Sequence, residues 1–265
     1  MRALIDGDIL RYEVGFGAET AWRSIFPAYP ESIPTFDFVK EILHEKIDNI
    51  VALSGADSYQ LYLTKGRCFR DAIATVKPYK PRVENKPWHF NNLTVYMRDV
   101  LNAVVVEGIE ADDAMAIEHV SSSGSTIIAS RDKDLRQLPG WFYSWELGSQ
   151  VSFGPINIDL VGSLALSDNR KKLIGTGFAF FCAQVLMGDK TDNIPGLPGW
   201  GPVKVYEYLL GLKEADDYLY YLTMAYQDYY NTAWEERLLE QGQLAWMVRR
   251  INGKEPELWQ IGMTS

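Results

Sequence analysis

The sequence predicts an α/β protein with a mostly parallel sheet flanked by helices, followed by a helical part. Apolar, strand-like runs alternate with helix-like segments through roughly the first 150 residues, which is typical of a parallel sheet with helices on its faces. Acidic residues follow several of these runs, and the apolar pattern is helical from Gly175 onward. We therefore assign an α/β core to residues 1–174 and a helical region to residues 175–265.

The first half of the core begins with a buried strand that ends at Asp6. An apolar run followed by Asp-Gly is a common way for a parallel strand to enter a turn. A helix is predicted over 35–52, where apolar residues recur at helical spacing. The run YQLYLT, residues 59–64, predicts the second strand.

The second half of the core continues the alternation. The predicted elements are a helix over 88–102, a strand over 103–106, a helix over 111–121, a strand over 126–130, a short helix to Leu138 and a strand over 141–145. The helix over 111–121 has acidic residues in its first turn, where they interact favourably with the helix dipole.

The composition predicts a globular protein with a substantial core, since 47% of the 265 residues are hydrophobic. No run approaches the roughly 18 to 20 apolar residues of a membrane span, and charges interrupt the first apolar stretch, so no signal peptide is expected. Cys68 and Cys182 have no His at metal-ligand spacing, which argues against a disulfide framework and a zinc site. We expect a cytoplasmic protein.

The formal net charge of −9 hides a basic segment. Residues 65–86 contain seven Lys and Arg against two acidic residues, a local charge of +5. A mobile, solvated loop is one interpretation of such a charge run. Phe69 and Tyr79 lie among the cations and favour nucleic acid, because bases stack on rings while cations bind phosphates.

Acidic side chains follow three of the predicted strands. They are Asp6 after the first strand, Glu110, Asp112 and Asp113 after the strand over 103–106, and Asp132 and Asp134 after the strand over 126–130. The carboxyl ends of parallel strands share one edge of a sheet, so we expect these acids to converge there. Asp189 and Asp192 would join them if the helical part covers that edge.

Such a carboxylate cluster predicts a site for hard divalent cations. Clustered like charges remain ionised only when cations lie among them, and oxygen-only ligands select Mg²⁺ or Mn²⁺. Two such ions about 4 Å apart are the common arrangement for phosphodiester hydrolysis. Each acid taken alone has a simpler interpretation: Asp6 as a turn residue, and the others as helix caps or solvated neighbours.

Five motifs, in order, resemble those of the 5′ nuclease superfamily, which includes flap endonucleases, the 5′ nuclease domain of bacterial DNA polymerase I and phage 5′→3′ exonucleases. The motifs are LIDGD (4–8), KGRCFRDAIATVKPYK (65–80), GIEADD (108–113), SRDKDLRQL (130–138) and MGDKTDNIPGLPGWGPVKVYEYL (187–209). The C-terminal segment 240–259 most resembles the stand-alone exonucleases of short-tailed lytic phages. The resemblance implies a PIN-like α/β core, with a short basic arch region at 65–105.

The resemblance also implies roles for individual residues. It implies that the metal carboxylates are Asp6, Glu110, Asp112, Asp113, Asp132, Asp134, Asp189 and Asp192. Lys80 and Arg70 would lie beside the scissile phosphate, and Tyr79 would stack on the terminal base. The basic segment 65–86, which we call the basic window, would supply Lys77, Arg82 and Lys86 as further DNA contacts.

The stretch at about 188–211 corresponds in this family to a helix-three-turn-helix element that grips duplex DNA away from the cut. Gly196, Gly199 and Gly201 would let the backbone approach a phosphate, and a helix that begins near Pro202 offers unpaired N–H groups. Lys190 and Lys204 would add phosphate contacts. The resemblance further implies a K⁺ ion bound by carbonyls of the turn.

Two departures from the family pattern stand out. Leu63 and Thr64 occupy a place where many relatives have a further Asp, which predicts weaker binding of one metal ion. About 30 residues separate Lys80 from Glu110, and a short arch favours trimming of 5′ ends over strict threading of flaps.

The sequence therefore predicts a two-metal 5′→3′ DNA exonuclease with structure-specific flap endonuclease activity in phage DNA replication or repair. The expected partners are duplex DNA with 5′ ends, nicks or flaps, with RNA primers in RNA–DNA hybrids as a further substrate. We expect a monomer, in the host cytoplasm if the protein is viral. Two alternatives stay open: a non-catalytic DNA-binding protein with the same fold, and a PIN-type ribonuclease.

Overall fold

The computed structural model of the protein describes residues 1–80 and 85–264. The helices are α1 Gly7–Ile25, α2 Phe36–Ser54, α3 Arg70–Ile73, α4 Phe90–Asp99, α5 Ala111–Ser121, α6 Gly177–Met187, α7 Pro202–Leu209, α8 Ala215–Tyr230 and α9 Trp234–Ala245, with short 3₁₀ helices at Asp134–Gln137 and Asn231–Ala233. The strands are β1 Arg2–Asp6, β2 Ser58–Cys68, β3 Val104–Gly108, β4 Thr126–Ala129, β5 Gly140–Ser144, β6 Phe153–Ile158, β7 Ser163–Leu166, β8 Leu173–Thr176, β9 Ile251–Asn252 and β10 Glu255–Pro256.

The chain forms two compact units that interleave along the sequence. Unit 1 consists of Met1–Gly66, Val83–Arg131 and Trp141–Ile156, and unit 2 of Arg67–Arg82, Asp132–Gly140 and Asn157–Ser265. They do not coincide with the consecutive regions 1–174 and 175–265 of the sequence analysis. Within the described ranges, no helix is both long and apolar enough to cross a membrane.

The main sheet has six strands in the order β3-β2-β1-β4-β5-β6. β1 lies between β2 and β4 and is parallel to both, and β4 is parallel to β5. Asp6 pairs in register with Tyr62 at the carboxyl end of β1, and Ile5 pairs with Ala129 on the other side. The predicted mostly parallel sheet flanked by helices is therefore confirmed, and Asp6 lies at the strand end where the sequence places it.

Helix α1 was not predicted, although it contributes much of the core of unit 1. It begins immediately after Asp6, and Leu10, Val14 and Ala18 on one face are buried. Gly15, which weakens the helical pattern, is required by packing: a Cβ there would lie 2.4 Å from Cγ of Pro87. A glycine inside a helix lowers helix propensity but permits this close approach.

Unit 2 is built around α6. All but the last residue of this helix are buried, and an all-round apolar helix is typical of the centre of a core. Phe181 packs against both Trp246 and Trp259, with ring centroids 4.9 and 5.4 Å apart. The predicted helical part, 175–265, therefore has a buried central helix. Unit 2 also contains the antiparallel pair β7–β8, which was not predicted.

Most predicted elements are present with shifted ends. The helix over 35–52 is α2, and its side-chain cap comes from Thr35, whose Oγ1 accepts the N–H of Phe38 at 3.4 Å. The strand over 59–64 extends to Cys68, and the helix over 88–102 is shorter, at Phe90–Asp99. The stretch 188–201 lies between α6 and α7, as predicted.

Candidate metal and nucleic-acid site

Asp6 is a buried carboxylate fixed by two hydrogen bonds. Its side chain is 1% exposed, and Oδ1 accepts the backbone N–H of Ile9 at 3.0 Å, which caps α1. Oδ2 accepts the hydroxyl of Ser130 at 2.9 Å. Burial, and next the charge of Asp8, raise the pKa of Asp6 to about 6. The side chain is therefore a helix cap, where its simplest interpretation predicted a turn residue, and also an ionisable group that is costly to charge.

Asp8 was left out of the predicted site, yet it interacts with Asp6 and Glu110. Both of its oxygens accept the N–H of Thr64 at 3.1 Å, and Oδ1 pairs with Arg11 at 2.8 Å. Burial raises the pKa of Asp8, and Glu110 adds to the rise, although Arg11 and Thr64 oppose it. Its position two residues after Asp6, in the first turn of a helix, is the sequence feature that could have identified it.

Glu110, Asp112 and Asp113 lie at the start of α5. The backbone N–H of Glu110 donates to Oδ2 of Asp113 at 3.1 Å, so Asp113, which is fully buried, serves as a cap. Glu110 and Asp112 are partly buried. The hydroxyl of Thr64 accepts the N–H of Ala111 at 2.8 Å, which connects the start of α5 to the residue of β2 that binds Asp8.

The Asp6→Asn variant tests whether the charge of the Asp6 carboxylate destabilises the metal-free protein. The Asn side-chain oxygen can still cap α1. The substitution removes the carboxyl group, whose pKa is about 6 in the folded protein against an ordinary value of 3.8. Because the folded pKa is the higher one, the carboxyl destabilises the parent increasingly from pH 4 to 6 and fully above pH 6. In EDTA at pH 8 we expect the variant to be about 2 to 3 kcal/mol more stable by urea unfolding.

The advantage of the Asp6→Asn variant should disappear near pH 4, where the parent carboxyl is protonated in both states. Asp48→Asn is the matched control, because that carboxylate is exposed in the same unit. A variant that is less stable than the parent at pH 8 would show that the Asp6 charge is satisfied by the protein alone.

Unit 2 brings together Asp132, Asp134, Asp189 and Asp192, which we call the Asp132 group. The N–H of Asp134 donates to Oδ1 of Asp132 at 2.9 Å. Oδ1 of Asp189 accepts the N–H of Thr191 at 2.7 Å and that of Asp192 at 3.4 Å. Asp134, Asp189 and Asp192 are each less than 10% exposed. Lys133 contacts both Asp134 and Asp189, which links the two segments. The role of these four acids as metal ligands stays a prediction.

Burial and mutual repulsion dominate the electrostatics of the Asp132 group. Burial, followed by the charge of Asp132, raises the pKa of Asp134 to about 6. The pKa of Asp132 is also raised by burial, against the opposing charge of Lys80. Burial would raise the pKa of Asp189 as well, but its hydrogen bond and ion pair with Lys133 lower it overall. The position of one neighbouring cation therefore determines which of these acids has a lowered pKa.

Lys133 is that cation, and it was not among the site residues predicted from the sequence. Its ammonium lies 3.1 Å from Oδ1 of Asp134 and forms a close ion pair with Oδ2 of Asp189. Burial would lower the pKa of Lys133, but the charges of Asp134 and Asp189 outweigh it and raise the pKa. Gln184 of α6 also donates to Oδ1 of Asp134. A lysine between two clustered aspartates is the sequence feature that indicates such a counter-charge.

Lys80 and Tyr79 contact the Asp132 group through Asp192. The ammonium of Lys80 lies 3.7 Å from Oδ2 of Asp192, and the hydroxyl of Tyr79 donates to the same oxygen at 3.1 Å. Lys80 is partly exposed, in agreement with a phosphate-binding cation. Tyr79 is only 7% exposed and belongs to the core of unit 2, so its ring is not presented for base stacking as expected.

Arg70 also departs from expectation. Its side chain is fully buried, and its guanidinium donates to the carbonyls of Leu244 at 3.1 Å and Trp246 at 2.6 Å. A guanidinium engaged with backbone carbonyls inside a core does not reach a phosphate outside it. This placement corrects the expected contact with the scissile phosphate and gives Arg70 a structural role within unit 2.

Four of the remaining predicted DNA-binding cations lie at the surface. Lys77 and Lys190 are exposed, and Lys204 lies 4.1 Å above the ring of Trp200. In unit 1, Lys86 lies 4.6 Å above the ring of Phe90. Arg82 lies outside the described residues.

The glycine-rich turn between α6 and α7 contains two kinds of glycine. Gly196 has a φ of 62°, and a Cβ there would lie 2.3 Å from the nitrogen of Gly188. A Cβ at Gly199 or Gly201 would enter open space, as judged from the described residues. Gly196 is therefore required by packing, whereas Gly199 and Gly201 leave the backbone accessible before the N-terminus of α7.

The Gly196→Ala variant should therefore be much less stable than Gly199→Ala. Gly199 has a φ of 79° but open space, so Ala there adds only the strain of the left-handed backbone, roughly 1 to 2 kcal/mol. Ala at position 196 adds a collision with backbone, which brings the loss to about 3 kcal/mol or more. Urea unfolding of both variants measures the difference, and equal losses would contradict the packing role of Gly196.

The chemistry of both carboxylate sets fits hard divalent cations. They offer only oxygen donors, and burial raises the pKa values of Asp6 and Asp134, which a nearby cation would reverse. Over residues 1–80 and 85–264, no set of three or more Asp, Glu, His or Cys side chains is arranged to hold a metal ion as it stands.

Two curated relatives match part of the chain. DNA polymerase I of Pseudomonas aeruginosa is 32% identical over 169 residues, which cover 59% of this chain and 17% of the polymerase. The 5′-3′ exonuclease of Streptomyces coelicolor is 30% identical over 137 residues, which cover 49% of this chain and 43% of that protein. The match thus spans less than half the length of each relative. No protein-family model matches the chain.

Solved structures match nearly the whole chain. The bacteriophage T5 5′-exonuclease with bound zinc ions has a TM-score of 0.54 at 18% identity, covering 92% of this chain and 89% of its own. The T5 flap endonuclease in a pseudo-enzyme-product complex with DNA and metal ions has a TM-score of 0.52 at 16% identity, covering 92% and 88%. Both the sequence relatives and the structural neighbours confirm the resemblance to the 5′ nuclease superfamily, whose fold this chain has.

Proposed function

We propose that the protein is a divalent-metal-dependent 5′→3′ DNA exonuclease with structure-specific flap endonuclease activity. The observation that carries the proposal is the Asp132 group, where four aspartates from two segments lie together with Lys80 beside Asp192. The combination offers ligands for metal ions and a cation for phosphate. The exonuclease and flap endonuclease names of the relatives and structural neighbours support the same reaction.

In this proposal the carboxylates hold two Mg²⁺ or Mn²⁺ ions. Bound ions would activate a water molecule and stabilise the leaving 3′ oxygen. The expected ligands are Asp6, Glu110, Asp112, Asp113, Asp132, Asp134, Asp189 and Asp192. Asp8 joins this set, since its charge interacts with those of both Asp6 and Glu110.

Lys80 would bind a non-bridging oxygen of the scissile phosphate and stabilise the charge that develops there. Lys133 would release Asp134 and Asp189 to the metal and would then be available to the phosphate chain. Products would carry a 5′ phosphate. No role at the phosphate is proposed for Arg70, because its guanidinium is engaged inside the core.

The glycine-rich turn would bind the duplex backbone. Gly201 precedes α7, which begins with Pro202, so N–H groups of the first helical turn are available to a phosphate. Lys190 and Lys204 would strengthen this contact, and carbonyls of the turn would hold K⁺. Lys77, Lys86 and Arg82 would contact the strand nearer the cut.

The proposed substrates are duplex DNA with 5′ ends, nicks or flaps, with RNA primers in RNA–DNA hybrids as a further substrate during phage replication or repair. We propose that a monomer acts in the cytoplasm. Of the alternatives, a PIN-type ribonuclease is disfavoured by the glycine-rich turn, and a non-catalytic DNA-binding protein by the retained carboxylates.

A 5′-labelled duplex, incubated with the protein in Mg²⁺ or in EDTA, tests the proposal. We expect short 5′-phosphorylated products in Mg²⁺ and intact DNA in EDTA. Blunt, nicked, gapped, flapped and RNA-primed substrates, compared at equal concentration, then rank the activities. DNA that is bound but uncut in Mg²⁺ and in Mn²⁺ would support the non-catalytic alternative instead.

A further inference from the structure

Residues 75–80, which we call the Lys80 segment, lead to the proposed phosphate-binding cation. Thr75 to Pro78 are exposed and belong to no helix or strand, so their own packing does not fix them. Lys80 has a φ of 41°, a backbone conformation that side chains with a Cβ avoid unless other contacts impose it. The position of its ammonium therefore depends on what holds the segment.

Glu240 of α9 holds the beginning of the segment. Its Oε1 accepts the backbone N–H of Thr75 at 2.7 Å and that of Val76 at 3.0 Å, and its Oε2 accepts the hydroxyl of Thr75 at 2.8 Å. Glu240 is only 7% exposed. A glutamate is seldom buried to this extent unless it has specific partners. These three bonds to one carboxylate are charge-assisted and fix the segment's direction.

Asn193 and Asp192, in the glycine-rich turn, hold the end of the segment. The side-chain amide of Asn193 donates to the carbonyl of Pro78 at 2.8 Å. The backbone N–H of Lys80 donates to the carbonyl of Asp192 at 3.2 Å. Asn193 itself has a φ of 61°, a conformation that Asn adopts more readily than most residues. The Lys80 segment and the glycine-rich turn are thus joined by hydrogen bonds on both sides of Tyr79.

We propose that Asn193 and Glu240 are positioning residues that place the Lys80 ammonium for phosphodiester cleavage. Asn193 links the turn that binds the duplex in the proposed function to the cation that acts at the cut, and Glu240 anchors the other end. The proposal rests on the proposed nuclease function. Displacement of a catalytic group by about 1 Å can lower a rate about 10²-fold, so these bonds would affect the cleavage rate more than DNA affinity.

The Asn193→Gly variant removes the bond to Pro78 while glycine still allows the left-handed backbone. We expect its single-turnover cleavage rate in Mg²⁺ to fall about 10- to 100-fold, with the Kd for the same duplex in EDTA within about threefold of the parent. Asn231→Gly is the matched control: Asn231 has a φ of 51°, lies in the same unit and is exposed. This control should cleave at the parent rate.

Amide hydrogen exchange provides a readout that does not need activity. The exchange of the Lys80 N–H should accelerate in Asn193→Gly and not in the Asn231→Gly control. In Glu240→Ala, which removes both accepting oxygens, the N–H groups of Thr75 and Val76 should exchange faster, and cleavage should slow without weaker binding. The Glu240→Asp variant, which retains the carboxylate, should restore part of the rate.

Failure of the positioning role and failure of the proposed function give different results. A parent that cleaves DNA, with Asn193→Gly cleaving equally fast or exchanging Lys80 equally slowly, would overturn the positioning role. Equal losses of rate and affinity would also overturn it. A parent that never cleaves would refute the nuclease function, while faster exchange in the variant would still show that Asn193 holds the segment.

Discussion

The Asp134→Ala variant should lose cleavage of a 5′-labelled duplex in Mg²⁺ by at least about 10³-fold. Asp134 is 6% exposed and lies with Asp132 and Lys133, so its removal deletes a central proposed ligand. DNA binding should remain measurable, because the proposed duplex contacts lie in the glycine-rich turn and the basic window. Quantified product release and gel-shift binding on the same duplex measure the two effects separately.

The control for Asp134→Ala is Asp168→Ala, which removes an exposed carboxylate of the same unit and should cut at the parent rate. Folding is checked by urea unfolding in EDTA. Burial raises the pKa of Asp134 to about 6, so removal of its charge should not destabilise the metal-free protein at pH 8. Unchanged cleavage by a folded Asp134→Ala variant would refute the assigned site.

The Lys80→Ala variant should lower the single-turnover cleavage rate about 10²- to 10³-fold while changing DNA affinity only a few-fold. Its ammonium lies 3.7 Å from Asp192 and is partly exposed, so it can reach a phosphate that approaches the Asp132 group. Cations that stabilise developing charge act mainly in the transition state, and their removal is typically worth several kcal/mol. Rate and Kd measured on one duplex separate the two effects.

Lys77→Ala is the matched variant for Lys80→Ala. Lys77 is exposed in the same segment, and a peripheral phosphate contact should reduce affinity and its salt dependence, with little change in the rate at saturation. If Lys80→Ala behaves like Lys77→Ala, Lys80 is an anchor for DNA and not part of the reaction. A rate loss at both positions would indicate that the whole segment is displaced.

The sequence predicted the sheet, the helices α2, α4 and α5 and the helical pattern after Gly175, because period-2 and period-3.6 patterns report burial directly. Helix α1 was not predicted, because Gly15, which allows the close contact with Pro87, interrupts the helical pattern. The strands β7 and β8, a two-stranded pair of only four residues each, were not predicted either. Short elements of this kind are defined by their partner and not by local propensity.

For the site, the sequence predicted residue types better than side-chain positions. Acids at strand ends follow from topology, and the four members of the Asp132 group do lie together. The burial of Arg70 depends on carbonyls more than 170 positions away in the sequence. The burial of Tyr79 depends on the packing of the core of unit 2. Neither is readable from a motif. Convergence of the Asp6 and Asp132 carboxylates stays a prediction.

Binding of metal ions by these carboxylates can be measured by anomalous diffraction from a crystal soaked in Mn²⁺. We expect peaks bound by oxygens of Asp6 and its neighbours and by the Asp132 group, with the Lys133 ammonium displaced from Asp134 and Asp189. The same protein preparation should cleave a labelled duplex in Mn²⁺. Cleavage by that preparation without an anomalous peak at either set of carboxylates would contradict the account.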